Sequence, residues 1–336
     1  MTEHTADCLI IGAGMSGLMA GTLLNKTGLR VIILDMGRGV GGRMATRRVQ
    51  NGVFDHGAQY FTVRDDRFRA FVDDWLAAGL LYQWSTGFYT ADGILHDNGE
   101  KRYRGANGMT TIPKYLAQNL NVRTEHEVTR LDFENGVWTA CTVGDNSAPF
   151  SARMLILTPP VPQSLELIDS GSVVLPADDR AALDQIDYDP CFAIMVLLDS
   201  PSNIPVPGGL WLDGEPISWI SDNFQKDISP VAHAVTIHAG SQFTREHWDN
   251  NWDDIARILL QAAAQWIGDA KVIETSVQRW RYSQPIYLHP DRCLVIESPA
   301  PLVFAGDAFK GARVEGAALS GMAAADAILR LRKYHA

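Results

Sequence analysis

Cys8-Leu9-Ile10-Ile11-Gly12-Ala13-Gly14-Met15-Ser16-Gly17 is the stretch on which the reading of the whole chain turns. Its four apolar residues read as a buried parallel strand, and a G-x-G-x-x-G spacing follows as the chain turns into a helix. Each glycine meets a separate need. Gly12 allows the tight turn, Gly14 omits the Cβ that would hold a pyrophosphate away from the helix N-terminus, and Gly17 lets helix and strand pack closely. The helix is expected over Met15 to Asn25, ending near Gly28. A second apolar strand, Val31-Ile32-Ile33-Leu34, then delivers Asp35 about twenty residues beyond the last glycine, where an acid holds the ribose hydroxyls of an adenosine. Strand, glycine turn, helix, strand and terminal acid in register predict a Rossmann-type dinucleotide cradle.

The chain has 336 residues, enough for two domains. With 46% hydrophobic and 20% charged residues it is expected to be a globular protein and not a disordered one. A formal net charge of -10 argues against nucleic acid or an anionic membrane surface as partner, since both would repel it. Cys8, Cys141, Cys191 and Cys293 are scattered, without a C-x-x-C pair, and read as reduced core residues. No basic signal region or membrane span is read in the sequence, so a cytoplasmic location is the expectation. Neither a protein partner nor a metal site is indicated.

After Asp35 comes Met36-Gly37-Arg38-Gly39-Val40-Gly41-Gly42-Arg43-Met44-Ala45-Thr46-Arg47. Paired glycines followed by Arg43 would bring backbone N–H groups and a guanidinium to a second face of a pyrophosphate. G-x-G-x-x-G, an acid and then G-G-R resembles the flavin-containing amine oxidase superfamily. Asp55-His56-Gly57-Ala58-Gln59-Tyr60-Phe61 is similar to the segment of these proteins that passes beside the isoalloxazine ring. The resemblance implies an α/β fold, with a Rossmann-type FAD-binding domain of the amine oxidase/p-hydroxybenzoate hydroxylase kind and an inserted mixed α+β substrate domain. It implies one FAD held without a covalent bond, with His56 as the alternative attachment residue. Gly12, Gly14, Met15, Ser16 and Gly17 would hold the pyrophosphate with Gly42 and Arg43, Asp35 would lie at the ribose, and Met36 and Met44 would also be among the cofactor-binding residues. His56, Gly57, Ala58 and Gln59 would run along the flavin.

Further along, Phe68, Phe71, Val72, Trp75 and Leu76 recur at helical spacing and read as a core-facing stripe. Gln83 to Arg104 reads as short antiparallel strands. Val122 to Val128 resembles the family's returning Rossmann strand, whose Val128 backbone would face the adenine. Asn135-Gly136 should turn a hairpin between 128–133 and 137–143. Ala152 to Leu157 reads as a buried strand that ends at Thr158-Pro159-Pro160, and the resemblance implies that it re-enters the nucleotide domain, with Thr158 among the cofactor-binding residues. Strands around Phe192–Leu198, Ile217–Ser221 and Ala234–His238 and a helix carrying Trp252 to Trp266 are expected in the substrate domain. The implied FAD domain is 1–61, 105–161 and 275–336, and the substrate domain is 62–104 and 162–274. Near the end, Gly306-Asp307 closes a strand and Arg313 to Gly321 opens a long helix. The resemblance assigns Gly306 and Asp307 to the ribityl chain and Gly316, Ala317 and Ala318 to the flavin N1–C2=O edge, where N–H groups and a helix dipole favour negative charge.

Gly41 to Arg47, Asp55 to Phe61 and Arg279-Trp280-Arg281-Tyr282-Ser283-Gln284 look most like the renalase branch of the superfamily. That branch, the resemblance implies, oxidises the 2- and 6-dihydro isomers of NAD(P) to NAD(P)⁺ and passes the electrons to O2, giving H2O2. The strand Cys191 to Leu198, which matches the one carrying a flavin-facing lysine in amine oxidases, has no lysine, and a tyrosine cage is missing beside Asp307. Hydride loss from a dihydropyridine leaves an aromatic pyridinium and needs no general base, only a ring held in the right geometry. Gln59, Tyr60, Asn223, His238 and Trp280 are the candidates for shaping that pocket. For His238 a satisfied core histidine is the competing reading, and for Trp280 core packing. A flavin amine oxidase and a flavoprotein with a mainly binding or redox-partner role are the alternative functions.

Overall fold

A computed structural model describes residues 4–143, 149–212 and 214–335 of the chain. They fall into two compact units, one of 1–42, 113–187 and 285–336 and the other of 43–112 and 188–284.

In the first unit Thr5–Ile11 lies inside a largely parallel sheet, because Cys8, Leu9 and Ile10 are apolar and fully buried on both faces. Phe150–Leu157 and Val31–Leu34 flank it in parallel, placing Cys8 beside Met154 and Val31. Asn121–Arg123 extends one side and Leu302–Phe304 the other, both parallel, and Leu294–Ile296 closes the edge antiparallel. The expected hairpin is present as Val128–Glu134 and Val137–Thr142, turned at Asn135-Gly136 with φ of 53° and 77°. Helix Met15–Asn25 follows the glycine turn, and the terminal helix Val314–His335 packs against it. A Cβ on Gly321 would stand 2.1 Å from the Ser16 carbonyl oxygen, which is why that contact takes a glycine.

The returning strand differs from expectation. It stops at Arg123, Glu125 takes a φ of 58°, and Val128 opens the hairpin instead. The N–H groups of Glu125 and His126 donate to the Gly37 and Asp35 carbonyls at 2.9 Å each, which draws the chain out of the sheet there. Boundaries shift as well. Residues 162–187 belong to the first unit and not with the substrate domain: after helix Val161–Asp169, Ser170 Oγ donates to the Thr129 carbonyl at 3.0 Å and the chain packs on the hairpin. Residues 43–61, 105–112 and 275–284 belong to the second unit and not with the nucleotide domain. Phe54 packs with Met195, Leu197 and Ala234, and the Met109 N–H donates to Asp55.

The second unit is a seven-stranded sheet in the order Val272–Pro285, Tyr188–Leu198, His233–Ala239, Ile217–Asp222, Gly209–Trp211, Leu81–Thr90, Leu95–Gly105. Side chains alternate along these strands, so the two faces separate by chemistry. Phe192, Ile194, Val196, Leu210, Ile220, Val235 and Ile237 build one apolar core with Phe243, Ile255 and Leu259 of the helices Ser241–Glu246 and Trp252–Ala262. Trp219, Ser221, Thr236 and His238, at alternate positions, take the opposite face. Helix Asp66–Ala77 buries Phe68, Val72 and Trp75 of the expected stripe and is capped by Asp65, whose carboxylate accepts the Arg67 N–H at 3.0 Å. Among the described residues no helix is long and apolar enough to cross a membrane.

Candidate active site

The first unit holds the dinucleotide cradle. Gly12 takes φ 97°, and a Cβ there would lie 2.5 Å from Thr158 Oγ1, which donates to the Ile11 carbonyl at 2.7 Å and so latches the turn. A Cβ on Gly17 would stand 2.0 Å from the Gly12 carbonyl oxygen. At Gly14, by contrast, a Cβ would meet nothing within 4 Å. Asp35 accepts the Ala13 N–H at 2.6 Å and the Gly37 N–H at 2.7 Å, tying the acid to the turn. The Gly41 N–H donates to the Ala13 carbonyl at 2.8 Å, which draws the second glycine loop onto the first. The first turn of helix Met15–Asn25 has no side-chain cap, and Ser16 Oγ is buried without a hydrogen-bond partner. Unmet donors around open space fit a pyrophosphate, the anion that such a helix N-terminus receives.

At the far end of the chain, Gly306 takes φ 144° and its N–H donates to Ser320 Oγ at 2.8 Å, with Asp307 next in line. Helix Val314–His335 starts earlier than the assignment of Gly316, Ala317 and Ala318 assumed. The Ala317 N–H donates to the Arg313 carbonyl at 2.9 Å, so the donors of the first turn belong to Val314, Glu315 and Gly316. Met36 is largely exposed and Met44 is buried.

In the second unit, a polar network radiates from Asp55. Its carboxylate binds Lys226 Nζ at 2.7 Å, Thr46 Oγ1 at 2.5 Å and the Met109 N–H at 2.8 Å, and Asp55 and Lys226 are both fully buried. Its carbonyl accepts Gln59 Nε2 at 2.6 Å. Gln59 Nε2 also donates to the Gly57 carbonyl at 3.0 Å, and Gln59 Oε1 accepts Ser221 Oγ at 2.8 Å. His238 Nε2 lies 3.3 Å from the His56 carbonyl and 3.4 Å from Gln59 Nε2. The same carbonyl accepts Trp280 Nε1 at 2.9 Å, and the Trp280 and His56 rings stack at 5.3 Å. Ala58 and Gly57 close on Arg43: the Ala58 N–H donates to the Arg43 carbonyl at 2.8 Å, and a Cβ on Gly57 would lie 2.0 Å from that oxygen. The Arg43 guanidinium donates to the Ser283 carbonyl at 3.1 Å.

Beside this network stands a wall of aromatic rings. Tyr60 lies 5.4 Å from Phe88, 5.9 Å from Trp219 and 6.3 Å from Trp84, with Trp211 5.5 Å from Phe88. Half-buried Tyr60, Trp84 and Trp211 form its accessible part.

Several candidates therefore have roles other than those expected. Asn223 is fully buried, its amide donating to the Ala234 carbonyl at 3.2 Å and Thr236 Oγ1 at 2.9 Å, and its backbone carbonyl accepts the N–H groups of Ile228 and Ser229. These bonds make it a strut for the turn that carries Lys226. Gln59 is likewise engaged at both ends of its amide. Trp280 has its N–H bonded and its ring stacked, which leaves it to shape the site by packing. His238 keeps some exposure and stands on the site face. Tyr60 belongs to the aromatic wall. The sequence does not single out Lys226 or the carboxylate of Asp55: Lys226 lies outside the strand 191–198 that matches the lysine-bearing one of amine oxidases, and nothing local distinguishes it from a solvated surface lysine.

Burial pushes the imidazoles of His56 and His238 down to about 4, with Arg47 adding to the effect at His56 and Asp55 opposing it. At His238 the contact to the His56 carbonyl opposes burial. Both rings are neutral at neutral pH. Burial also pulls Lys226 down, against the attraction of Asp55. The unfolded chain takes up protons at these histidines near their ordinary pKa of 6.5, and the folded chain only near 4, so stability falls as pH drops through that window. Each histidine should remove up to about 2 kcal/mol by pH 5. Urea midpoints should be level above pH 7 and fall toward pH 5, and a level profile down to pH 5 would contradict the buried neutral rings.

Among the described residues no group of His, Cys, Asp and Glu is arranged to hold a metal ion. A surface cavity of about 320 Å³ lined by Thr90, Ala91, Asp92, His96 and Gly214 lies at the tip of the hairpin Leu81–Thr90 and Leu95–Gly105, and none of the network residues lines it.

Compared with known proteins, residues 10–75 match the NAD(P)-binding Rossmann-like domain and residues 68–329 match the flavin containing amine oxidoreductases. An L-amino acid dehydrogenase of Synechocystis sp. is 32% identical over 74 residues, 22% of this chain and 16% of that protein. The flavin-containing amine oxidase A of Sus scrofa is 46% identical over 48 residues, 14% of this chain and 9% of that protein. The likeness thus spans a small part of either relative. Among solved structures, a protein of Exiguobacterium sp. 255-15 described as a protoporphyrinogen oxidase superposes with a TM-score of 0.74 at 14% identity, covering 98% of this chain and 99% of its own. Putrescine oxidase bound to putrescine gives 0.72 at 14% identity, covering 97% and 99%. At such identities the likeness is one of fold.

Proposed function

The chain belongs to the flavin containing amine oxidoreductases, and from that premise we propose that it is an oxidase of the renalase type, acting on 2- or 6-dihydro isomers of NAD(P). FAD is the cofactor of this family; when bound it accepts a hydride, and that hydride with O2 and a proton gives H2O2. The cradle of the first unit holds its pyrophosphate. The second unit's sheet face receives the substrate ring.

The observation that carries the reading is the lack of a strong proton acceptor on that face among the described residues. His56 and His238 are uncharged there, Gln59 and Asn223 are bonded internally, and the ammonium of Lys226 is committed to Asp55. Oxidising an amine requires loss of a proton as well as a hydride, and such a face offers no good acceptor for it. A dihydropyridine releases only the hydride and becomes aromatic. What it asks of the protein is a flat apolar surface and a fixed orientation, which Tyr60 and its neighbouring rings supply. Oxidation of a small amine is the second reading, favoured by the names of the relatives the chain matches.

Anaerobic mixing of the purified yellow protein with each donor tests this. The flavin absorbance should bleach rapidly with 2- or 6-dihydro-NAD(P), slowly with ordinary 4-dihydro NADH and with amines. Fast bleaching by monoamines or polyamines, with the dihydro isomers inert, would overturn it in favour of amine oxidation.

The FAD should come away without breaking a bond. Burial raises the thiols of Cys8, Cys191 (to about 12) and Cys293, which keeps them protonated and poor nucleophiles. Acid precipitation should leave a colourless pellet and a yellow supernatant; a yellow pellet would point to attachment at His56.

A further inference from the structure

We infer that the aromatic wall of the second unit selects uncharged ring ligands and rejects cationic ones, because cations of the protein's own already occupy its π faces. The Arg102 guanidinium carbon lies 5.8 Å from the ring centre of Tyr60, 5.4 Å from Phe88 and 5.2 Å from Trp211. Lys226 Nζ lies 4.7 Å from the ring centre of Trp84. Trp219 packs among these rings, 5.0 Å from Phe88 and 6.1 Å from Trp84.

An aromatic cage of this kind ordinarily attracts ammonium and pyridinium groups through the negative faces of its rings. Here that attraction is already taken up. Arg102 is 4% exposed, and its bonds go to neutral oxygens, the carbonyls of Thr86 and Glu100 and Asn98 Oδ1. Among the described residues it forms no ion pair with a carboxylate; exposed Asp97, bonded to Gly99 and Thr86, feels it only as a minor influence. Its charge therefore remains felt at the rings. Lys226 is paired with Asp55, and this pair places its positive member under Trp84. A second positive charge brought to the outer faces of these rings meets repulsion in a poorly solvated place, where like charges a few ångströms apart repel far more than in water.

The inference rests on reading this face as the substrate wall. Its consequence is a direction for the reaction: a neutral dihydropyridine is admitted, and the pyridinium it becomes is pushed away. Protonated amines are refused at the same step. Arg102 and Lys226 are thereby specificity-determining residues that need not touch the reacting carbon.

Two probes of nearly the same shape isolate the charge: 1-methylnicotinamide, a cation, and 3-methylbenzamide, its uncharged counterpart. Their equilibrium binding to the oxidised FAD-loaded protein can be followed by calorimetry, with no turnover required. The neutral probe should bind roughly tenfold or more tightly than the cation. Arg102→Met, and separately the paired change Asp55→Asn with Lys226→Met, should each narrow that ratio severalfold, mainly by tightening the cation. The paired change keeps a bare carboxylate out of the core, and circular dichroism confirms which variants fold. Equal binding of the two probes to the unaltered protein, binding of neither, or a ratio that folded variants leave unmoved would each overturn the inference. Bleaching by dihydro isomers without a probe contrast would remove the charge selection and keep the reaction. A probe contrast with inert dihydro isomers would remove the reaction and keep the selection.

Discussion

Gly14→Val should yield a folded, colourless protein. The backbone at Gly14 has φ -77° and ψ -177°, which a valine adopts readily, and nothing stands within 4 Å of the position its Cβ would take. The apo fold should therefore melt within a few degrees of the unaltered protein. What the branched side chain fills is the space beside the open helix N-terminus and the Ser16 hydroxyl, unpartnered among the described residues, where the pyrophosphate is proposed to lie. Flavin binding should fall below detection by absorbance. Gly17→Val supplies the contrast: its Cβ would stand 2.0 Å from the Gly12 carbonyl oxygen, so the packing of helix on strand breaks and the protein should be lost to misfolding. A Gly14→Val protein that purified fully yellow with unchanged affinity would show that the cofactor lies elsewhere.

The second large effect is expected at Lys226. Lys226→Met leaves the Asp55 carboxylate fully buried with, among the described residues, the Thr46 hydroxyl and the Met109 N–H as donors. Removing one partner of such a pair typically costs about 3–5 kcal/mol, because the remaining charge is stranded in a low dielectric. Converting Asp55→Asn in the same chain should recover most of that loss. Urea unfolding of the single and double variants measures both numbers. A single variant as stable as the parent would mean that the pair is not sealed from water. The damage should extend beyond stability. The Asp55 carbonyl holds Gln59, and Gln59 neighbours His238, so a displaced Asp55 disturbs the face on which substrate is proposed to rest.

Much of the first unit was legible in the sequence because its logic is local. From Cys8 to Asp35 the strand, turn, helix and second strand are contiguous, and the glycines are forced by backbone geometry: Gly12 by its φ of 97°, Gly17 by the carbonyl in front of it. Turns such as Asn135-Gly136 are local in the same sense. Even here, the limit of locality shows at Val128. The family resemblance implies one strand through 122–128, but two backbone hydrogen bonds to Gly37 and Asp35, distant in sequence, end it early.

The second unit depended on tertiary structure. Lys226 and Asp55 are 171 positions apart, and a lysine bears the same letters whether it is solvated or sealed under Trp84. Asn223 carried the right chemistry for a substrate contact, yet strand pairing buries it and directs its amide to Ala234 and Thr236. Arg102, placed by the hairpin against Tyr60, Phe88 and Trp211, gave no sign in the sequence of its aromatic box. By itself the sequence determined the strand, glycine turn and helix of the Rossmann-like segment, because backbone conformation there follows from neighbours a few residues away. Which polar groups are buried, paired and neutral was decided only when the sheet brought remote strands together, because desolvation and charge pairing depend on distances in space and not along the chain.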